Sequence, residues 1–245
     1  MKLIFLRKPF EEDCESIARI LYQEEGGRAQ KHLAEAFHLD LERLYRDGCH
    51  KSQDYIRKVL LAEYEKSGSE VADLLQRIPK KWKAVSNEVF SALDSIFQSP
   101  FSEDQTFHVY FTINALAPYN LATFSFDAIY RKSDDEILSG CIHELIHFFW
   151  FSKWAKIFPH TNTKSTQGNL PWLFSEIAVD AVFKETALAK FCLTDKPAYK
   201  YFYDISFDGQ NMMEAFKMLF QQNNIDNFMR SGIDYLKKHQ KDLPS

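Results

Sequence analysis

At 245 residues the chain is long enough to bury a core of its own, as one large domain or as a domain with a substantial subdomain. Its 30 lysines and arginines against 34 aspartates and glutamates leave a net charge of -4, which excludes a general electrostatic pull toward nucleic acid or an anionic membrane. An apolar content of 45%, with 22 phenylalanines, supplies material for a well-packed core and an apolar cleft.

The four cysteines, Cys14, Cys49, Cys141 and Cys192, are scattered and form no CxxC pair. Neither a thiolate zinc site nor a disulfide framework is suggested, and reduced thiols in a cytoplasmic protein are expected. At the start, Met1 to Leu6 is apolar but is cut short by Arg7, Lys8 and then Glu11, Glu12 and Asp13, too short a run for the core of a signal peptide. No segment approaches the ~20 apolar residues of a membrane span.

Lys2 to Leu6 is expected to form a short strand. From Glu11 the pattern turns helical, with Ile17, Ile20 and Leu21 at three- and four-residue spacing and Gly26-Gly27 as a stop. A second helix fits Arg28 to Arg46, with Leu33, Phe37, Leu41 and Leu44 on one stripe and Gly48 beyond it. Asp54 to Lys66 and Glu70 to Ile78 read as third and fourth helices. Pro79 is expected to break the chain before a fifth, Lys81 to Phe97, that turns Trp82, Val85, Val89, Leu93 and Phe97 inward. Residues 1–100 are thus expected to be a helical region and residues 101–245 a second region. The lysines around Trp82 (Lys80, Lys81 and Lys83) are expected to be a solvated first turn rather than a nucleic-acid patch, because three lysines do not outweigh an acidic chain.

After residue 100 the texture changes. Thr106 to Ile113 and Ala122 to Tyr130 are rich in β-branched and aromatic residues and alternate, predicting two strands joined through Pro118-Tyr119-Asn120. His108 faces the side opposite Phe107 and Val109, where an ordinary strand histidine is favoured over a ligand role. The first of these strands is also expected to offer an edge for an extended peptide. Ser133 and Glu136 have capping-box spacing and open a helix from about Asp134 to about Lys153. Beyond it lies a polar loop from His160 to Leu170, and Pro171 is well placed to start another helix, through about Leu193. Asn211 to Gln222 and Asp226 to Gln240 read as two closing helices.

Inside the Asp134 helix runs Cys141-Ile142-His143-Glu144-Leu145-Ile146-His147-Phe148-Phe149-Trp150. A four-residue step returns to the same helix face, so His143 and His147 project from successive turns toward one point and suit two nitrogen ligands of a single zinc ion. Glu144, about 100° round the helix, is placed to reach a water at that metal as a general base. Apolar neighbours on all sides would bury these polar groups, and a metal is a partner that satisfies them. A catalytic zinc needs a third protein ligand. The metzincin pattern would put glycine and histidine at positions 150 and 153, which hold Trp150 and Lys153, so that class is excluded. His160 in the loop and Glu176 on the next helix remain, and Asp180, four residues after Glu176 on the same face, is where a carboxylate would orient a metal-bound imidazole.

These residues resemble the gluzincin group of zinc metalloproteases, the broad class that includes thermolysin. The match is His143-Glu144-Leu145-Ile146-His147 for HExxH and Glu176-Ile177-Ala178-Val179-Asp180 for the ExxxD of the glutamate helix, and it covers roughly residues 105–190. The gap from His147 to Glu176 is longer than in thermolysin-like enzymes, and the aminopeptidase exopeptidase motif is absent. The resemblance implies His143, His147 and Glu176 as zinc ligands, Glu144 as catalytic base and Asp180 as the supporting carboxylate. It further implies an α+β, predominantly helical fold whose zincin-like core packs a small β-sheet on the active-site helix. Tyr199, Tyr201 and Tyr203 follow the glutamate helix, where a phenol could stabilise an oxyanion. Tyr203 is the chosen candidate, against plain aromatic packing in a turn. The Thr161 to Asn169 loop is expected to be plain and solvated rather than a flap.

The function expected is a zinc-dependent peptidase acting on a peptide or protein, with neither nucleic acid nor membrane as partner. The alternatives are a non-proteolytic zinc-binding regulator and a helical interaction module whose histidines merely pack.

Overall fold

The computed structural model describes residues 1–23, 27–98, 101–160, 170–192 and 199–243, apart from the side chains at 23, 28, 47 and 49–51. The fold is α+β and mostly helical, with a small mixed sheet. The chain forms two compact units, Met1–Ala84 with Asp104–Ile137, and Val85–Glu103 with Leu138–Ser245, which interleave across the change of texture near residue 100.

In the first unit β1 (Lys2–Arg7) leads into α1 (Phe10–Gln23), α2 (Arg28–Phe37), α3 (Leu41–Lys66) and the start of α4 (Gly68–Phe97). β2 (Thr106–Thr112), β3 (Tyr119–Asn120) and β4 (Ser125–Ile129) follow, and the strand order is β1-β2-β4-β3. β1 runs parallel to β2 and β2 parallel to β4, whereas β3 is antiparallel to β4. β2 is hydrogen-bonded on both sides, so the peptide-binding edge expected of it does not exist: Lys2–Arg7 fills that edge from about a hundred residues away. One sheet face is buried through Phe107, Val109, Phe111, Phe126 and Ala128. On the other face Ile4 and Leu6 are exposed while His108 and Tyr110 are half-buried.

Several helix boundaries differ from the sequence expectation. The helix expected over 28–46 ends at His38, which adopts the left-handed region (φ 53°) as Leu39 N–H bonds the Ala34 carbonyl at 2.8 Å. Asp40 then caps α3 by accepting from Arg43 N–H at 3.0 Å, and Gly48 (φ 70°) is a kink inside α3 instead of a stop. Pro79, expected to break the chain, lies within a continuous α4. Val71, Leu74, Ile78, Trp82, Val89, Leu93 and Phe97 are all buried along α4, and this unbroken apolar stripe outweighs the lost donor. Trp82 is buried, as expected, while Arg77 and Lys81 both pair with Asp134 at 2.9 Å.

α5 (Asp134–Ile157) begins at the expected capping box: Ser133 N–H donates to Glu136 Oε2 at 3.1 Å and Glu136 N–H to Ser133 Oγ at 3.3 Å. In the second unit α6 (Leu170–Lys184) ends earlier than expected. Thr186 restarts the chain as a 3-10 turn at Ala187–Phe191, its Oγ1 accepting from Leu188 N–H at 3.2 Å. A second 3-10 turn at Lys200–Asp204 precedes a hairpin of β5 (Ser206–Phe207) and β6 (Gln210–Asn211), whose turn residues Asp208 and Gly209 have φ of 51° and 81°. α7 (Met212–Gln222) and α8 (Ile225–Lys238) close the unit. Phe174 of α6 is its packing centre, with ring centroids 4.9 Å from Trp150, 5.3 Å from Phe216 and 5.5 Å from Phe228. Gly232 of α8 lies so close to this ring that a Cβ there would fall 2.2 Å from Phe174 Cζ.

Candidate metal centre

The centre of α5 is buried nearly all round: Cys141, Ile142, Leu145, Ile146, Phe148, Phe149, Trp150 and Phe151 are each at most 4% exposed. A helix so enclosed leaves no solvent face for His147, which is itself 1% exposed. α6 is equally enclosed, with every residue from Phe174 to Phe183 buried, Glu176 and Asp180 among them. Both helices thus carry polar groups into an apolar interior, and the fold brings those groups together.

His143, His147 and Glu176 form the cluster. His147 Nε2 lies 3.1 Å from His143 Nε2 and 3.4 Å from Glu176 Oε2, and the remaining edge, His143 Nε2 to Glu176 Oε2, is 3.7 Å. Two ligands of a tetrahedral zinc with bonds of about 2.0–2.1 Å stand about 3.3 Å apart, so the three edges bracket the required separation. The donor set, two imidazoles and one carboxylate, also suits a borderline divalent metal. On distance and chemistry the residues fit. Burial opposes ionisation of Glu176, but His147 and His143 beside it hold the carboxyl down at about 2.

The other sequence candidates fall in different places. Glu144 is half-buried, one residue along α5 from His143. His160 is exposed beyond the end of α5 and is not part of the cluster. Asp180 accepts from the Tyr203 hydroxyl at 2.7 Å, and Lys184 Nζ stands 3.8 Å from Asp180 and donates to the Tyr203 oxygen at 3.1 Å. Asp180 and Tyr203 are therefore engaged with each other, Tyr203 also holding the hairpin through its carbonyl, which accepts from Asn211 Nδ2 at 2.7 Å. The loop at 161–169 lies outside the described residues.

Tyr199 is another of the three phenols that follow the glutamate helix, of which the sequence favours Tyr203. Its hydroxyl proton is held more tightly than usual, chiefly by burial and then by the negative charge of Glu176 and Glu144, which places this phenol within the field of both carboxylates. Its ring rests against Trp172, Tyr201 and Phe202, with centroids 6.3, 5.7 and 5.2 Å away. The local signal that separates it from Tyr203 is its place just ahead of the 3-10 turn, in extended backbone, which periodicity does not register.

Among the described residues this is the one group of three or more histidines, cysteines or acids arranged to hold a metal ion. No described helix is long and apolar enough to cross a membrane. Compared with protein-family models, curated proteins and solved structures, the chain gives no match.

Proposed function

We propose that this protein is a zinc-dependent peptidase of gluzincin type, with His143, His147 and Glu176 as the metal ligands and a zincin-like core. The observation that carries the reading is the triangle of donor atoms with edges of 3.1, 3.4 and 3.7 Å, built by an HExxH helix and a glutamate on the following helix. A bound zinc supplies Lewis acidity and brings the pKa of a coordinated water to about 7. Glu144 takes the proton from the attacking water and returns it to the leaving amine. Tyr199, buried and within the field of the same carboxylates, donates its hydroxyl to the carbonyl oxygen as charge develops there. Tyr203 serves instead to fix the Lys200–Asp204 turn on α6 through Asp180. Cys14 and Cys141 are free thiols, and we place the protein in the cytoplasm, acting on peptides or proteins.

The test compares wild type with Glu144→Gln, both loaded with zinc, on a library of fluorogenic peptides. The reading expects cleavage by wild type and a loss of about 10²-fold or more in Glu144→Gln with zinc content unchanged. A zinc-loaded wild type that cuts no peptide would support the non-proteolytic regulator. Equal cleavage by both would remove Glu144 from the mechanism.

A further inference from the structure

We propose that the first unit carries a second site, independent of the metal, in which the cleft between α1 and the less buried sheet face binds a neutral mono- or disaccharide through a vicinal diol. The cleft has a volume of about 530 Å³, within the ~300–1,000 Å³ usual for small-molecule sites.

Its floor is built from charged groups that stability alone does not explain. Lys8 is 7% and Asp127 5% exposed, and the Lys8 ammonium pairs with Asp127 Oδ2. A buried pair of this kind is rarely better than apolar packing, because desolvating both ions offsets their attraction. Burial in fact pushes the Asp127 carboxyl up to about 6 even with Lys8 beside it. Asp13, fully buried on α1, ties that helix to the end of β2 by accepting from the Thr112 hydroxyl and, at 3.2 Å, from Ile113 N–H.

The class of ligand follows from what the walls offer. Lys8 and Arg19 stand against Glu12, Glu15 and Asp127 around one cavity, 2 - 3 = -1 in formal charge. A ligand of a single charge would meet groups of its own sign, whereas a hydroxyl donates and accepts and so matches both signs. A vicinal diol suits the Lys8–Asp127 pair in particular, one hydroxyl donating to Asp127 and its neighbour accepting from Lys8. His108 and Tyr110, two steps apart on β2, present near-parallel rings with centroids 6.4 Å apart and planes at 22°. Rings on one wall give the C–H face of a pyranose an apolar surface to rest on. Opposite His108 in the β2–β4 register stands Ser125, whose hydroxyl is 2.7 Å from that of Thr123, so further hydroxyl partners lie on the same wall. The sequence marks His108 only as a strand histidine, and its neighbours across the sheet give it this setting.

The experiment is saturation-transfer NMR followed by calorimetry on the full chain, with glucose, galactose, mannose, N-acetylglucosamine, maltose and cellobiose as probes, and glycine, lysine and putrescine as charged counterparts. Binding is expected for at least one sugar, undiminished in His143→Ala, and weakened about 10-fold or more in Tyr110→Ala and in Glu12→Gln. Both substitutions are at positions that are not fully buried, and circular dichroism verifies that the variants fold. Binding of no sugar, stronger binding of an amine or amino acid than of any sugar, or sugar binding unchanged in both variants would overturn the proposal. Loss of binding in His143→Ala would show the sugar to be at the metal cluster and overturn it equally.

Discussion

Three side-chain atoms carry the functional argument: Nε2 of His143, Nε2 of His147 and Oε2 of Glu176. Removing any one leaves two donors where a catalytic zinc takes three, so Glu176→Ala is expected to lower zinc affinity by about 10²-fold or more, read by competition with a chromogenic chelator. An affinity within threefold of wild type would exclude Glu176 as a ligand. The two tyrosines separate just as sharply. Tyr199→Phe should reduce kcat by about 10²-fold with little change in zinc content. Tyr203→Phe, which breaks the bond to Asp180, should leave kcat within about tenfold and instead cost about 1–2 kcal/mol of stability. The reverse pattern would return the oxyanion role to Tyr203. At this scale the two histidines and Glu144 were legible because helical spacing alone sets their relative directions. Glu176 was legible through the resemblance and not through spacing. The bond that engages Tyr203 with Asp180 was not legible, because it depends on the short 3-10 turn at Lys200–Asp204, which is set by tertiary packing.

At the scale of elements, apolar periodicity proved a good guide to burial and a poor guide to breaks. The stripe through Leu33, Phe37 and Leu44 keeps its phase across His38, so the left-handed residue that ends α2 is invisible in the pattern. The reverse holds at Pro79, where a strong breaker is overridden by the buried stripe of α4. Pro79→Ala should restore a helical hydrogen bond and raise stability by about 1–3 kcal/mol in urea unfolding, whereas a loss would mean that the proline ring itself contributes to the packing of α4. The contact of α8 with α6 gives the opposite expectation. Phe174 cannot yield to a methyl at 232, because its ring is held among Trp150, Trp154, Phe216 and Phe228. Gly232→Ala should therefore cost about 1–3 kcal/mol and lower Tm by several degrees. An unchanged Tm would show that α8 shifts freely on α6.

For the whole molecule, what the sequence hid was long-range. β1 pairs with β2 across about a hundred residues, and nothing local in Lys2 to Leu6 names its partner. The same pairing closes the edge that Thr106 to Ile113 alone would leave free. The sheet belongs to the first unit and the metal cluster to the second, so each unit carries one candidate site assembled from its own residues. His143 and Glu176 are 33 positions apart, yet both lie in the largely buried middles of their helices, and this shared enclosure is the physical reason their polar groups require partners. The most direct test is the metal itself. Protein purified without chelator and analysed by inductively coupled plasma mass spectrometry should hold about one zinc per chain, and His143→Ala and Glu176→Ala should each lose it while remaining folded. Wild type that takes up no zinc even on titration, or variants that retain the same stoichiometry and affinity, would contradict the account.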